Sequence, residues 1–165
     1  FLFNISIKEN IRMGNPCATD EEVLAAAKAA RCDEFISKME YGYDTLVGDA
    51  GGKLSGGERQ RITIARAILK PADVVILDEA SAYADPENEV YIEEAINELV
   101  KDKTLIVVAH RLETIENSDK IVVVDQGKIV AEGTQSELLK NCALYKRLWN
   151  ETILTSERKR GDCNA

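Results

Sequence analysis

Three unbroken apolar runs, Val74 to Leu77, Leu105 to Val108 and Ile121 to Val124, restrict most strongly what this chain can fold into. A strand with one wet face alternates apolar and polar residues, whereas an unbroken run fits a strand covered on both faces of a parallel sheet. Between the first two runs, Asp85-Pro86-Glu87-Asn88-Glu89 opens a helix, with a cap, a proline at the first position and early acids. Ile92, Ala95, Ile96 and Leu99 then recur at helical spacing and are expected to face the sheet. Strand, helix and strand joined by a right-handed crossover follow. The fold class predicted is α/β, a parallel sheet flanked by helices. Asp125-Gln126-Gly127-Lys128 reads as a turn, and Ile129 to Ala131 as a returning antiparallel strand.

At 165 residues the chain is long enough for one domain with its own core. A formal net charge of -8 with dispersed basic residues argues against nucleic acid as a partner. No run of about eighteen apolar residues occurs, so no membrane span is expected. The sequence opens at Phe1 without a charged stretch before an apolar core, so no signal peptide is expected, and the start at Phe1 suggests a piece of a longer chain. Cys17, Cys32, Cys142 and Cys163 fit no zinc or redox spacing, and a reducing cytoplasm suits them.

The segment Leu54-Ser55-Gly56-Gly57-Glu58-Arg59-Gln60 combines a cap with an unusual cost. Ser55 and Glu58 are spaced as a capping box. Two glycines directly after a cap weaken an ordinary helix. They make sense where something must approach the backbone closely. The first amides of a helix lack internal partners and carry partial positive charge, so a Ser-Gly-Gly start suits an anion. By itself a Ser-x-x-Glu before an apolar run is usually only a cap. The context adds weight. Val74 to Glu79 is an apolar strand ending in two carboxylates, which suits a magnesium-nucleotide site. Thr104 to His110 places the only histidine at the end of another strand.

Thr19 with Glu22, and Thr134 with Glu137, mark two more helix starts. Val23, Ala27 and Ala30 share a face, with Leu24 beside it, and Asp33 to Met39 reads as a short helix presenting Phe35 and Ile36. A helical turn is expected near Lys8 to Met13, closed by Gly14-Asn15-Pro16. In the helix after Ser55, Ile62, Ala65, Ile68 and Leu69 form the apolar stripe, and Pro71 ends it. Arg59, Thr63, Arg66 and Lys70 lie on another face, which is expected to be solvated. Ala143 to Trp149 is a further short helix, and the charged stretch from Ser156 is expected to be disordered.

Together these elements resemble the nucleotide-binding domain of the ATP-binding cassette transporters, from Phe1 to about Asn150. Leu54 to Gln60 matches the signature motif, Val74 to Glu79 the Walker B strand and His110 the switch-histidine loop. Thr45-Leu46-Val47-Gly48-Asp49-Ala50-Gly51 resembles the exporter loop written Thr-x-Val-Gly-Glu-x-Gly, with Asp49 in place of Glu. Phe1 to Ile11 is similar to the segment that in exporters lies against the membrane domain. The loop Ser81 to Asp85 has the family length, with Tyr83 and Ala84 replacing the usual Ala-Leu.

The resemblance implies a P-loop NTPase-like sheet with a helical subdomain. Residues 1–70 would form that subdomain with the exporter loop and signature helix, 71–150 the C-terminal part of the ATPase core, and 151–165 a disordered tail. It implies that ATP and Mg²⁺ are the cofactors. Asp78 would hold the metal, Glu79 would be the general base, and His110 would hold phosphate and water. Ser55, Gly56, Gly57, Glu58 and Asp85 would meet nucleotide at an interface with a second nucleotide-binding domain, identical or different. A transmembrane domain fused N-terminally and a place at the cytoplasmic face of the cell membrane are also implied.

The sequence contains no Gly-x-x-x-x-Gly-Lys-Ser/Thr loop, no adenine-stacking aromatic of the family kind and no glutamine loop, all expected N-terminal to Phe1. The chain alone is therefore expected to be inactive. Two other readings stay open to comparison: a soluble cassette ATPase, and a module with a degenerate site. The exporter-type loop argues against the first, and Asp78, Glu79 and His110 argue against the second.

Overall fold

The structure is a computed structural model that describes residues 1–78, 86–109 and 112–161, with side chains described throughout except at positions 86, 87, 113 and 153–161. It falls into two compact units, Phe1–Ile106 and Val107–Ala165. The helix that starts at Pro86 buries a face in the same core as the helices before residue 70.

The first unit is built on helix packing. Helices α1 (Ile7–Arg12), α2 (Asp20–Ala29) and α3 (Asp33–Ile36) precede α4 (Gly56–Leu69) and α5 (Pro86–Val100). Helix α4 touches α1, α2 and α5. Its Ile62 and Ala65 are fully buried, as the stripe predicts, and Ile64 joins them. Val23, Ala27 and Ala30 of the second helix region, and Ile92, Ala95 and Leu99 of α5, complete this core, whereas Leu24 is exposed. Each large aliphatic side chain so buried contributes roughly 1.5–3 kcal/mol. Two helix starts here are capped by side chains, the one at Thr19 as the sequence predicts. Thr19 N donates to Glu22 Oε2 at 2.7 Å and Glu22 N to Thr19 Oγ1 at 3.3 Å. In α1, Ser6 Oγ accepts from Glu9 N at 3.2 Å.

Two polar side chains, Asn10 and the half-buried Arg66, tie the first residues to α4. Asn10 is fully buried. Its Nδ2 donates to the carbonyls of Phe3 and Ser6, both at 3.0 Å, and its Oδ1 accepts from Phe3 N at 3.0 Å. Arg66 donates from Nε to the Asn10 carbonyl at 2.8 Å, and from its two terminal nitrogens to Asn10 Oδ1 and the Phe1 carbonyl, both at 3.0 Å. Arg66 is therefore not part of a solvated basic face. Gly14 lies against the same turn of α4, where an added Cβ would stand 2.1 Å from the Arg66 carbonyl oxygen.

Strand β1 (Val74–Asp78) pairs with β2 (Thr104–Val108). Their burial differs from that expected of doubly covered strands. Ile76 is 66 % exposed and Ile106 48 %. The apolar runs are present, but the described residues do not cover them.

In the second unit, β3 (Ile121–Asp125) pairs antiparallel with β4 (Lys128–Gly133). The turn between them carries positive φ at Gln126 (46°) and Gly127 (75°), the conformation of a two-residue hairpin loop. Helices α6 (Gln135–Asn141) and α7 (Ala143–Gly161) follow, and Ile121, Val123, Leu138 and Tyr145 form the core. At the start of α6, Glu137 accepts from Thr134 N at 2.8 Å, and these bonds from Thr134 hold its carboxyl below the usual range. Helix α7 continues to Gly161. Glu, Lys and Arg are good helix formers, and no breaker intervenes before Gly161. No helix among the described residues is long and apolar enough to cross a membrane.

Asn10→Ala should cost about 2–4 kcal/mol in chemical denaturation, because the Phe3 amide and an Arg66 nitrogen lose a buried acceptor. A loss below about 1 kcal/mol would mean that the network does not anchor the first residues. Cys32 is fully buried, and burial pushes its thiol up to about 12, whereas Cys17 is exposed. Brief alkylation of the native chain at mildly alkaline pH should modify Cys17 and spare Cys32 in peptide mass mapping. Equal labelling of the two would contradict the packing around α3.

Candidate functional site

The turn that opens α4 gathers Ser55, Gly56, Gly57 and Glu58. Ser55 has extended backbone, φ -65° and ψ 165°, as an N-cap requires. Its Oγ accepts from Glu58 N at 3.2 Å, and its own N–H donates to Glu58 Oε2 at 2.7 Å. The capping box read from the sequence is thus closed in both directions. Glu58 spends one carboxylate oxygen on that cap. Ser55 and Gly56 are exposed, and Gly57 is buried. Arg59 reaches back to the Leu54 carbonyl and steadies the approach to the turn. An added Cβ at Gly51 would stand 2.8 Å from Arg59 Cδ, and Gly51 has φ +75°, so the glycine-rich loop before the cap is fitted to this same side chain. What the turn offers is one hydroxyl and first-turn amides that a helix cannot pair internally. Those groups suit a phosphate oxygen.

Asp78 ends β1 and is exposed. One accessible carboxylate fits magnesium, which keeps most of its water and takes one or two carboxylates plus phosphate oxygens. No cluster of three or more metal-ligating side chains occurs among the described residues. Glu79, Asp85 and His110 lie outside the described residues. The structure therefore brings together the four signature residues and places Asp78 in the same unit.

Sequence reasoning passed over Arg61. This arginine is 4 % exposed, one turn into α4. It donates to the Arg31 carbonyl at 3.0 Å and to Asn88 Oδ1 at 2.9 Å, with Glu34 3.7 Å away. Its guanidinium lies over the rings of Phe35 at 4.9 Å and Tyr91 at 5.1 Å. The Nε is buried without a hydrogen-bond acceptor, and the two ring faces supply partial compensation. An open cleft of about 620 Å³ beside it is lined in part by Glu34, Lys38, Glu58 and Tyr91. Arg31, whose φ is +55°, turns the chain out of α2 and aims its carbonyl at Arg61. A glycine there would have advertised that turn; an arginine did not.

The family model described as ABC transporter matches residues 2–82. A Bacillus subtilis (strain 168) protein, YgaD, carries the name of a multidrug export ATP-binding/permease protein. It is 52 % identical over 149 residues, which is 90 % of this chain and 26 % of that protein. The ABC transporter ATP-binding protein y4gM of Sinorhizobium fredii is 47 % identical over 94 % of this chain and 27 % of its own length. A solved structure of a bacterial Atm1-family ABC exporter with ATP bound aligns with a TM-score of 0.80 and 42 % identity, over 91 % of this chain and 26 % of that one. The chain spans about a quarter of the length of these relatives. This agreement in sequence and fold points one way: the chain belongs to the ABC transporter family, as part of its ATP-binding domain.

Proposed function

We propose that the chain is the signature-bearing part of an ATPase that drives export across a membrane, acting at sites shared by two facing nucleotide-binding domains. The observation that supports this most directly is the closed Ser55–Glu58 cap, which holds an exposed hydroxyl and the Gly56 amide at the start of α4. In this reading Ser55, Gly56 and Gly57 meet the terminal phosphate of ATP held by the facing domain, and Glu58 fixes the turn. Asp78 would hold Mg²⁺, which would supply positive charge against the phosphates. Glu79 takes a proton from the attacking water, His110 keeps that water and the phosphate in line, and Asp85 lies at the dimer interface. Residues 1–70 supply the helical subdomain and 71–150 the C-terminal part of the core. A transmembrane domain joined N-terminally receives the motion at the cytoplasmic face of the membrane. Exposed Phe1 and Phe3, packed edge to face at 5.3 Å, are suited to meet it.

In the longer protein, Glu79→Gln should lower ATP hydrolysis about a hundredfold or more while ATP binding persists. Unchanged turnover would remove Glu79 from the role of base. Ser55→Arg should leave nucleotide binding to its own domain intact and block closure of the pair. In a mixed dimer, adding a mutation of the phosphate-gripping lysine to the opposite subunit should cost little more, because both changes strike one composite site. Placing it in the same subunit should damage both sites. Equal rates for the two arrangements would refute a shared site.

A further inference from the structure

We propose that Gly57 is glycine so that the side chain of Asn88 can lie on it, and that Asn88 is the positioning residue that fixes the signature turn to α5. Gly56 and Gly57 differ in surroundings: the first is exposed and the second is buried. A Cβ built on Gly57 would stand 2.5 Å from Asn88 Cγ, 2.6 Å from its Cβ and 2.9 Å from its Oδ1. The Asn88 Cβ cannot swing aside as the tip of a long side chain could, so the close approach involves the root of the side chain. The Asn88 amide is also held in orientation. Its Oδ1 accepts from Arg61 at 2.9 Å, and Arg61 is anchored in turn by the Arg31 carbonyl and the two aromatic rings.

Gly57 and Arg61 are four residues apart and share one face of α4. Asn88 lies across both, from the first turn of α5. A shift of that turn of α5 is therefore transmitted to the backbone of Gly57. That backbone is one residue from Gly56 and two from Ser55. The functional half of this inference rests on the ATPase reading; the packing half does not.

The packing half is tested by the sign of a thermal shift. In a helix with open space at this position, Gly→Ala is neutral or stabilising. Here Gly57→Ala should lower the Tm of the chain by about 5 °C or prevent folding. The same change made together with Asn88→Gly should raise Tm above that of Asn88→Gly alone. A Gly57→Ala that is neutral in the native background, or equally harmful in both backgrounds, overturns the packing. The positioning half is tested in the longer ATPase. Asn88→Ala should lower kcat about tenfold and leave KM for ATP within about twofold, whereas Asn88→Asp, which keeps an acceptor for Arg61, should recover kcat to within about threefold. Equal losses in the two variants, or no loss in Asn88→Ala, overturn the positioning role. Absence of ATP hydrolysis in the unmutated longer protein would overturn the ATPase reading instead, and the thermal result would still stand.

Discussion

Two guanidinium groups on one helix, Arg61 buried and Arg66 half-buried, take their partners from the protein, and much of the first unit follows from how they do so. A buried charge without acceptors costs several kcal/mol, so its environment is specified far more tightly than that of a buried leucine. Arg66 is met by the Phe1 and Asn10 carbonyls and by the Asn10 side chain, which draws the first residues and α1 onto one face of α4. Arg61 is met by the Arg31 carbonyl and by Asn88, which fixes the end of α2 and the start of α5 against another. The apolar contacts of Ile62 and Ala65 supply driving force between these two clamps but would accept several helix orientations. The hydrogen bonds choose among them.

The parts of this arrangement that depend on neighbours in sequence were legible beforehand. The boxes at Thr19 and Ser55 closed as written, because a cap involves residues three apart and little else. The hairpin turn at Gln126-Gly127 was equally local. The apolar faces of α4 and α5 emerged from spacing, although α5 packs on α4 as well as beside a strand. What spacing could not show was the fate of single polar residues inside helices. Asn10 sits between apolar positions and looks like any surface asparagine until its bonds to Phe3 are seen. Arg61 and Arg66 were indistinguishable in sequence from solvated cations, since their acceptors are backbone carbonyls thirty and more residues away. For the site itself, residue type and order carried the resemblance to the family, whereas the different surroundings of Gly56 and Gly57 depend on a helix far along the chain.

The uncovered strands have a practical consequence. Val74 and Ile76 on β1, and Leu105 to Val108 on β2, present aliphatic surface to water next to strand edges that the described residues leave unpaired. Such a combination is adhesive, because one chain can satisfy the edge of another while hiding its oily face. A net charge of -8 opposes that association at long range, and added salt weakens the opposition. The colloidal behaviour of the isolated chain is therefore set by a contest between sheet surface and acidic charge, with dilute, low-salt solution favouring single molecules and concentrated saline favouring clusters.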